Sequence, residues 1–168
     1  MKQNIVITGP PASGKSTLLQ SLISEKQVYG IFTKDILKDG ARWGFKVINM
    51  RSGKSEIFAS MDMKPHVLLK YGVDVEKFEK VAIPAIEEGI NNKDSIIVID
   101  EMKMLSFFSD RYRKLILKAL ETKRVLATAP MKLRHDFLDR IKSRPDVRVH
   151  YLTKFNFNRL LKDIAKEL

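Results

Sequence analysis

The sequence predicts an α/β fold: a sandwich built on a mostly parallel central sheet, with an antiparallel hairpin or meander inserted into it. Three observations carry this. The apolar runs "NIVIT" (4–8), "IIVID" (96–100) and "VLATAP" (125–130) are nearly continuous, as in strands covered on both faces. Stretches of helical period separate such runs. Between residues 28 and 60 the pattern changes to strand-like segments joined by tight turns, the signature of antiparallel pairing.

Taken in order, "NIVIT" is a buried strand that stops at Gly9-Pro10-Pro11. Leu18, Leu19, Leu22 and Ile23 recur at helical spacing, which predicts a helix from Gly14 to about Lys26. "VYGIFTKD" predicts a strand over Val28 to Thr33, and Asp39-Gly40 predicts a turn. "WGFKVINM" and "SEIFAS" are strands on either side of a turn at Arg51 to Lys54. Asp74 is a suitable N-cap for a helix whose apolar face includes Phe78, Val81, Ala82 and Ile86. Pro84 is expected to kink or restart that helix, because it lacks an N–H and crowds the preceding turn. "DSIIVIDE" has the pattern of a central parallel strand, and Phe108, Tyr112, Leu115, Ile116, Ala119 and Leu120 give one amphipathic helix after it. "RVLATAP" is a strand stopped by Pro130; a helix near Lys132 to Ser143, a strand near Val147 to Leu152 and a helix near Asn156 to Leu168 follow. With 168 residues and no linker or repeat, one domain over 1–168 is expected.

Composition narrows the function classes. Apolar residues make up 44% and charged residues 30%, an ordinary balance for a soluble chain, and no segment is apolar for long enough to cross a bilayer. The N-terminus enters a strand with no signal-like segment, so a cytoplasmic protein without membrane association is expected. The absence of cysteine excludes disulfides and thiolate zinc sites. The net charge of +11 is unevenly placed: residues 102–168 hold 17 basic and 7 acidic residues, a net of +10. That excess suits an anionic partner, a triphosphate or a nucleic acid, and suits a solvated lysine-rich surface equally well.

The motif with the most chemistry is "GPPASGKST", which fits Gly9-x-x-x-x-Gly14-Lys15-Ser16 between a strand and a helix. In that context a glycine-rich loop turns successive N–H groups and a helix N-terminus toward phosphate oxygens. The expected phosphate-binding residues are Gly9, Pro10, Pro11, Ala12, Ser13, Gly14, Lys15, Ser16 and Thr17. Lys15 would reach the β- and γ-phosphates, Ser16 would ligate Mg²⁺, and Thr17 would support the α-phosphate. Asp100, at the carboxyl end of "IIVID", is placed to hold the metal as a Walker-B aspartate. Glu101 beside it is placed to polarise a water for attack on the γ-phosphate. Thr128, in the next strand, is a candidate for orienting that water or simply a strand-end cap.

Other side chains are less specific. Arg42, Arg134, Arg140, Arg144 and Arg159 are candidates for a further cation at the transition state, each against a plain surface role. His66, His135 and His150 show no metal-binding spacing. Phe155 and Phe157 could stack on a base, although packing of the last helix is the default.

The long segment and extra strand between the glycine loop and Asp100-Glu101, with a glutamate of catalytic type beside the aspartate, favour the RecA-like division of glycine-loop ATPases. Two other functions fit the same motif. A nucleotide or small-molecule kinase would use the same loop, and a nucleotide-switched nucleic-acid-binding protein would use the basic C-terminal part. Oligomeric state is not readable from these features.

Read together and in order, "TGPPASGKST", "GIFTKD", "WGFKVI", "YGVDVEKFEKVAIPAIE", "IIVIDEMKML", "VLATAP" and "VHYLT" resemble the small nucleoside-triphosphatase family known from thermophiles, which includes the human cancer-related nucleoside-triphosphatase. The resemblance spans nearly the whole chain. It implies a RecA-like fold and Mg²⁺-dependent hydrolysis of several nucleoside triphosphates to diphosphate and phosphate, with Gly14, Lys15, Ser16, Thr17, Asp100 and Glu101 in the family's positions. The chain also departs from the family. Where the family has x-Gly-Lys-Met-Glu after Asp-Glu, this chain has Met102-Lys103-Met104-Leu105-Ser106, and a one-residue deletion would restore the lysine as Lys103 but not the glutamate. A family acid near Thr33-Lys34-Asp35 is replaced by a base, and the family's Glu-Asn-Arg appears as Phe155-Asn156-Phe157 with Arg159 two residues on.

Overall fold

The structure, a computed structural model, describes residues 3–132 and 135–168. Its centre is a nine-stranded sheet: β1 (Asn4–Gly9), β2 (Val28–Lys38), β3 (Ala41–Asn49), β4 (Ser55–Ser60), β5 (His66–Leu68), β6 (Tyr71–Val73), β7 (Ile96–Asp100), β8 (Val125–Pro130) and β9 (Val147–Tyr151). The spatial order is β5-β6-β4-β3-β2-β7-β8-β1-β9. From β2 through β9 the neighbours are parallel, whereas β3, β4, β5 and β6 form an antiparallel meander on one side. This is the RecA-like α/β sandwich expected, with its appended meander.

The continuous apolar runs explain the parallel half. Along β1, Ile5 and Ile7 face one helical layer while Val6 faces the other; in β7, Ile96 and Val98 alternate with Ile97 and Ile99 in the same way. Helices α1 (Lys15–Ile23) and α5 (Phe157–Ala165) cover the first face through Leu18, Leu19, Leu22, Leu160 and Ile164. Helices α2 (Val75–Asn91), α3 (Asp110–Glu121) and α4 (Asp136–Lys142) cover the second, where Phe78, Tyr112 and Phe137 are buried. Alternating side chains on one strand thus feed two separate cores, so neither face tolerates a polar register.

Several boundaries move from where the sequence placed them. Strand β2 continues to Lys38 and pairs with β3 down to the register Lys38–Ala41. The hairpin closes on Asp39 and Gly40, both with positive φ (52° and 74°), the backbone that a two-residue hairpin loop demands. Helix α2 runs through Pro84 without restarting. Pro84 lies on the exposed side of that helix, where water can satisfy the carbonyl its missing N–H abandons. Phe108 does not start α3: Met104–Phe108 form a 3₁₀ turn, and Ser109 caps α3 by accepting from the Tyr112 N–H at 2.9 Å. The expected helix near Lys132 begins at Asp136, with Leu133 and Arg134 outside the described residues.

One arginine closes the far end of α2. Arg124 Nη1 donates to the carbonyls of Gly89, Asn92 and Ser95 at 3.2, 2.7 and 2.5 Å, and Nη2 donates to the Ile90 carbonyl at 3.1 Å. The Gly89 and Ile90 carbonyls are groups that a helix end leaves without intrahelical partners, and those of Asn92 and Ser95 belong to the connection to β7. Arg124→Ala is expected to cost about 2 kcal/mol, the scale of charge-assisted hydrogen bonds, seen as a lower urea midpoint with unchanged slope.

Candidate active site

The phosphate-loop residues lie where β1 gives way to α1. A Cβ on Gly9 would stand 2.3 Å from the Leu152 carbonyl oxygen, so the strand end admits only glycine. Gly14 occupies the N-cap of α1 with φ 92°, in the left-handed region that favours glycine. That helix has no side-chain cap, so its first N–H groups are presented to the cleft. Lys15 is folded back over the loop. Its Nζ donates to the Gly9 and Pro10 carbonyls at 3.3 and 3.2 Å and lies 3.7 Å from Glu101 Oε1, with 11% of the side chain exposed.

Asp100 ends β7 and is 7% exposed. Strand β8 separates β7 from β1 in the sheet, yet Ser16 of α1 reaches across and donates to Asp100 Oδ1 at 3.1 Å. Thr128 of β8 donates to the same oxygen. Burial is the main cause that raises the Asp100 pKa above the ordinary aspartate value, and the charge of Glu101 adds to it; the Thr128 and Ser16 hydrogen bonds and Lys103 act the other way. The folded carboxyl therefore keeps its proton to a higher pH than the unfolded one. Its ionisation costs the fold stability as pH rises through that window, and the cost persists above it. Asp100→Asn is expected to stabilise the ligand-free protein at neutral pH. The gain should vanish once pH falls below the unfolded aspartate value of about 3.9, checked by urea midpoints across that range.

Glu101 follows on a cis peptide, and its N–H donates to Thr33 Oγ1 at 3.4 Å. Its carboxylate is held between two lysines: Lys15 on Oε1 and, at 3.3 Å, Lys103 on Oε2. Lys103 Nζ is also 3.4 Å from Asp35 Oδ1, and Arg42 pairs with Asp35 at 2.7 Å. The result is a chain of alternating charge, Arg42–Asp35–Lys103–Glu101–Lys15, running from the β2–β3 hairpin into the phosphate loop. Individually such partly exposed pairs contribute little to stability; in series they fix where the Glu101 carboxylate points.

Two clefts meet at this line of charges. One of about 350 Å³ is lined by Ala12 to Thr17, Thr33, Asp100, Glu101 and Lys103. A larger one of about 590 Å³ opens on the other side of Lys15, Glu101 and Lys103, against Arg42, Phe45, Leu68 and Tyr71. The structure thus brings together Gly9 through Thr17, Asp100 and Glu101. Pro10, Pro11 and Ser13 complete the loop, with the Ser13 N–H donating to the Pro10 carbonyl at 3.3 Å.

Other candidates fall elsewhere. Thr128 is fully buried, and its hydroxyl is spent on Asp100, which leaves it unplaced to orient water. Of the arginines, Arg42 alone among those described joins the charge chain. Arg140 lines a separate cleft beside Asp110 and Arg113, Arg144 holds Asp146 through two 2.8 Å bonds, and Arg159 is exposed on α5; Arg134 lies outside the described residues. Phe157 packs against the α1–α5 core, as expected, with two ring atoms 3.7 Å from where a Gly14 Cβ would be. Phe155 does not pack: it is 97% exposed. His135 caps α4 by accepting from the Phe137 N–H, and among the described residues no group of three His, Cys, Asp or Glu could hold a metal.

Sequence reasoning missed Lys103 and Asp35 as members of the site. Their partnership joins positions 68 residues apart, and no local spacing signals it.

Comparison with known proteins identifies the family. Residues 4–165 match the model of a family described as NTPase. The nucleoside-triphosphatase THEP1 of Thermotoga sp. (strain RQ2) is 32% identical over 166 residues, covering 98% of this chain and 94% of that protein. The crystal structure of THEP1 from the hyperthermophile Aquifex aeolicus superposes with a TM-score of 0.85 at 32% identity, over 98% of each chain. The solution structure of a human cancer-related nucleoside triphosphatase gives a TM-score of 0.76 at 29% identity, over 98% of this chain and 96% of that one. With its sheet order, its glycine loop and a match over almost its full length, the chain belongs to this NTPase family and is a nucleoside-triphosphatase.

Proposed function

We propose that the chain hydrolyses ATP, GTP, CTP and other nucleoside triphosphates to the diphosphate and phosphate, in the cytoplasm and with Mg²⁺ as its cofactor. The observation that carries this reading is the position of Glu101, a carboxylate at the end of a central strand, 3.7 Å from the phosphate-loop lysine. The amides of Gly9 through Thr17 and the N-terminus of α1 would hold the phosphate oxygens. Lys15 exchanges its carbonyl and carboxylate contacts for the β- and γ-phosphates. Glu101 then accepts a proton from a water in line with the γ-phosphorus.

Ser16 and Asp100 would hold the metal. A buried carboxylate with one hydroxyl 3.1 Å away suits a hard cation that takes oxygen ligands, keeps several waters and fills the rest of its shell from phosphate, as Mg²⁺ does. When bound, it would neutralise charge on the β- and γ-oxygens.

Lys103 has a supporting part: it holds one Glu101 oxygen so that the other faces the γ-phosphate. Lys103→Ala removes two ion pairs; the one that holds Glu101 is worth up to about 1 kcal/mol, so kcat should fall about fivefold with KM nearly unchanged. Lys103→Arg should restore most of it.

The test of the function is phosphate release from ATP, GTP and CTP with and without Mg²⁺. One phosphate and one diphosphate per turnover, lost on chelation, is the expected result. Release of pyrophosphate, or no release, rejects it.

A further inference from the structure

Sheet order gives a bound nucleotide its direction. Strand β1, which ends in the phosphate loop, lies between β8 and β9. Asp100 and Glu101 come from the end of β7, beyond β8 on one side of the loop; β9 and the segment after it border the other side. With the β- and γ-phosphates at Lys15, and Lys15 3.7 Å from Glu101, the γ end of the phosphate chain faces β7. The nucleoside end then leaves toward β9.

Residues 152–157 border the loop on that side. The Leu152 N–H donates to the Thr8 carbonyl at 2.7 Å, and two ring atoms of Phe157 lie 3.7 Å from where a Gly14 Cβ would be. The segment therefore runs alongside the loop from its start to its end, and Phe155 stands between those two contacts. Its ring is 97% exposed and belongs to neither core. Its backbone is nevertheless held. Asn156 Oδ1 accepts from the Thr153 N–H at 2.8 Å, Asn156 Nδ2 donates to the Tyr151 carbonyl at 2.8 Å, and Thr153 Oγ1 accepts from the Phe155 N–H at 3.3 Å. The same bonds engage the Thr153 and Asn156 side chains, which leaves the exposed Lys154 ammonium, a flexible donor, beside the ring. Such a ring can read the face of a base, whereas little beside it is fixed to read an edge.

We propose that Phe155 is the stacking platform for the nucleobase, and that it accepts purines and pyrimidines alike because it reads the ring face. The inference deepens the triphosphatase reading and rests on it for the direction of the phosphate chain. Every base has a π-face, so stacking on an aromatic side chain tolerates a change of base. A purine covers more of the ring than a pyrimidine, so purine nucleotides gain more from it. Because the ring is already outside the core, its removal changes the grip on the base and leaves the packing of α5 through Leu160 and Ile164 untouched.

The experiment compares ADP, GDP and CDP with inorganic pyrophosphate, which has no base, by calorimetric titration in the presence of Mg²⁺. Phe155→Ala should weaken all three nucleotides about tenfold, within the range one stacked base contributes, with the purines losing most and pyrophosphate unchanged. In turnover, KM for ATP should rise by the same factor while kcat holds, the mark of lost uniform binding. Phe155→Trp should restore affinity, and Phe155→Leu, apolar but without a ring, should not. Nucleotide affinity that Phe155→Ala or Phe155→Leu leaves unchanged overturns the proposal. Equal losses for nucleotides and pyrophosphate also overturn it, because Phe155 would then support the loop; a loss confined to one base shows edge reading and overturns it too. A parent that binds pyrophosphate as tightly as ADP rejects the platform and leaves hydrolysis standing. A parent that shows the expected pattern of binding but releases no phosphate from ATP rejects hydrolysis and leaves the platform standing.

Discussion

Glu101→Gln is expected to lower the rate of phosphate release by about a thousandfold, within the 10²–10⁴ span of general-base catalysis, while nucleotide still binds. The substitution keeps the shape of the side chain and an oxygen that can accept from Lys15 or Lys103, the two cations now 3.7 and 3.3 Å from the carboxylate. What it removes is the ability to take a proton. Loss of kcat with preserved affinity therefore separates base chemistry from binding, and affinity can be followed by fluorescence of a labelled nucleotide. A variant that turns over at the parental rate would show that water is activated elsewhere. Of the neighbouring carboxylates, Asp100 is engaged by Ser16 and Thr128, and Asp35 does not line the cleft of the phosphate loop.

The position of Glu101 beside the glycine loop was legible in the sequence because its determinants are local. A strand buried on both faces announces itself as an unbroken apolar run, and the two acids at the end of "IIVID" must then emerge at the carboxyl edge of the sheet. The glycine loop is legible for the same reason: Gly9 and Gly14 are forced by backbone contacts and angles that any chain making this turn would meet. Determinants that depend on distant partners were not legible. Strands β5 and β6 have three residues each and pair around Leu68 and Tyr71, too short to show a period. The tail of β2 carries mixed charged and apolar residues, and only its pairing with β3 keeps it extended. Phe155 was expected in the core by its chemistry alone, but it lies outside α5, whose buried positions are Leu160 and Ile164. Lys103 could be named as a residue out of register, not as the partner of both Glu101 and Asp35, until the hairpin was folded against β7.

Lys15→Ala should abolish measurable triphosphate binding under conditions where the parent saturates. The loop lysine is the charge that approaches the β- and γ-phosphates, and a charge-assisted hydrogen bond of about 1.5–3 kcal/mol corresponds to roughly 10- to 150-fold in affinity. Loss of its charge also leaves Glu101 facing the incoming anion with one cation instead of two, which pushes the effect toward the upper end. The fold itself should hardly notice. In the ligand-free protein Lys15 makes two long bonds to carbonyls of its own loop and one 3.7 Å ion pair, and none of the two cores depends on it. The thermal midpoint without nucleotide is thus expected to stay close to the parent's, whereas the rise that ATP and Mg²⁺ produce in the parent should disappear, since a ligand stabilises only in proportion to its binding to the native state. A drop in the ligand-free midpoint as large as the lost ATP effect would mean that Lys15 supports the loop rather than the phosphates, and the cradle would then have to rely on backbone amides alone.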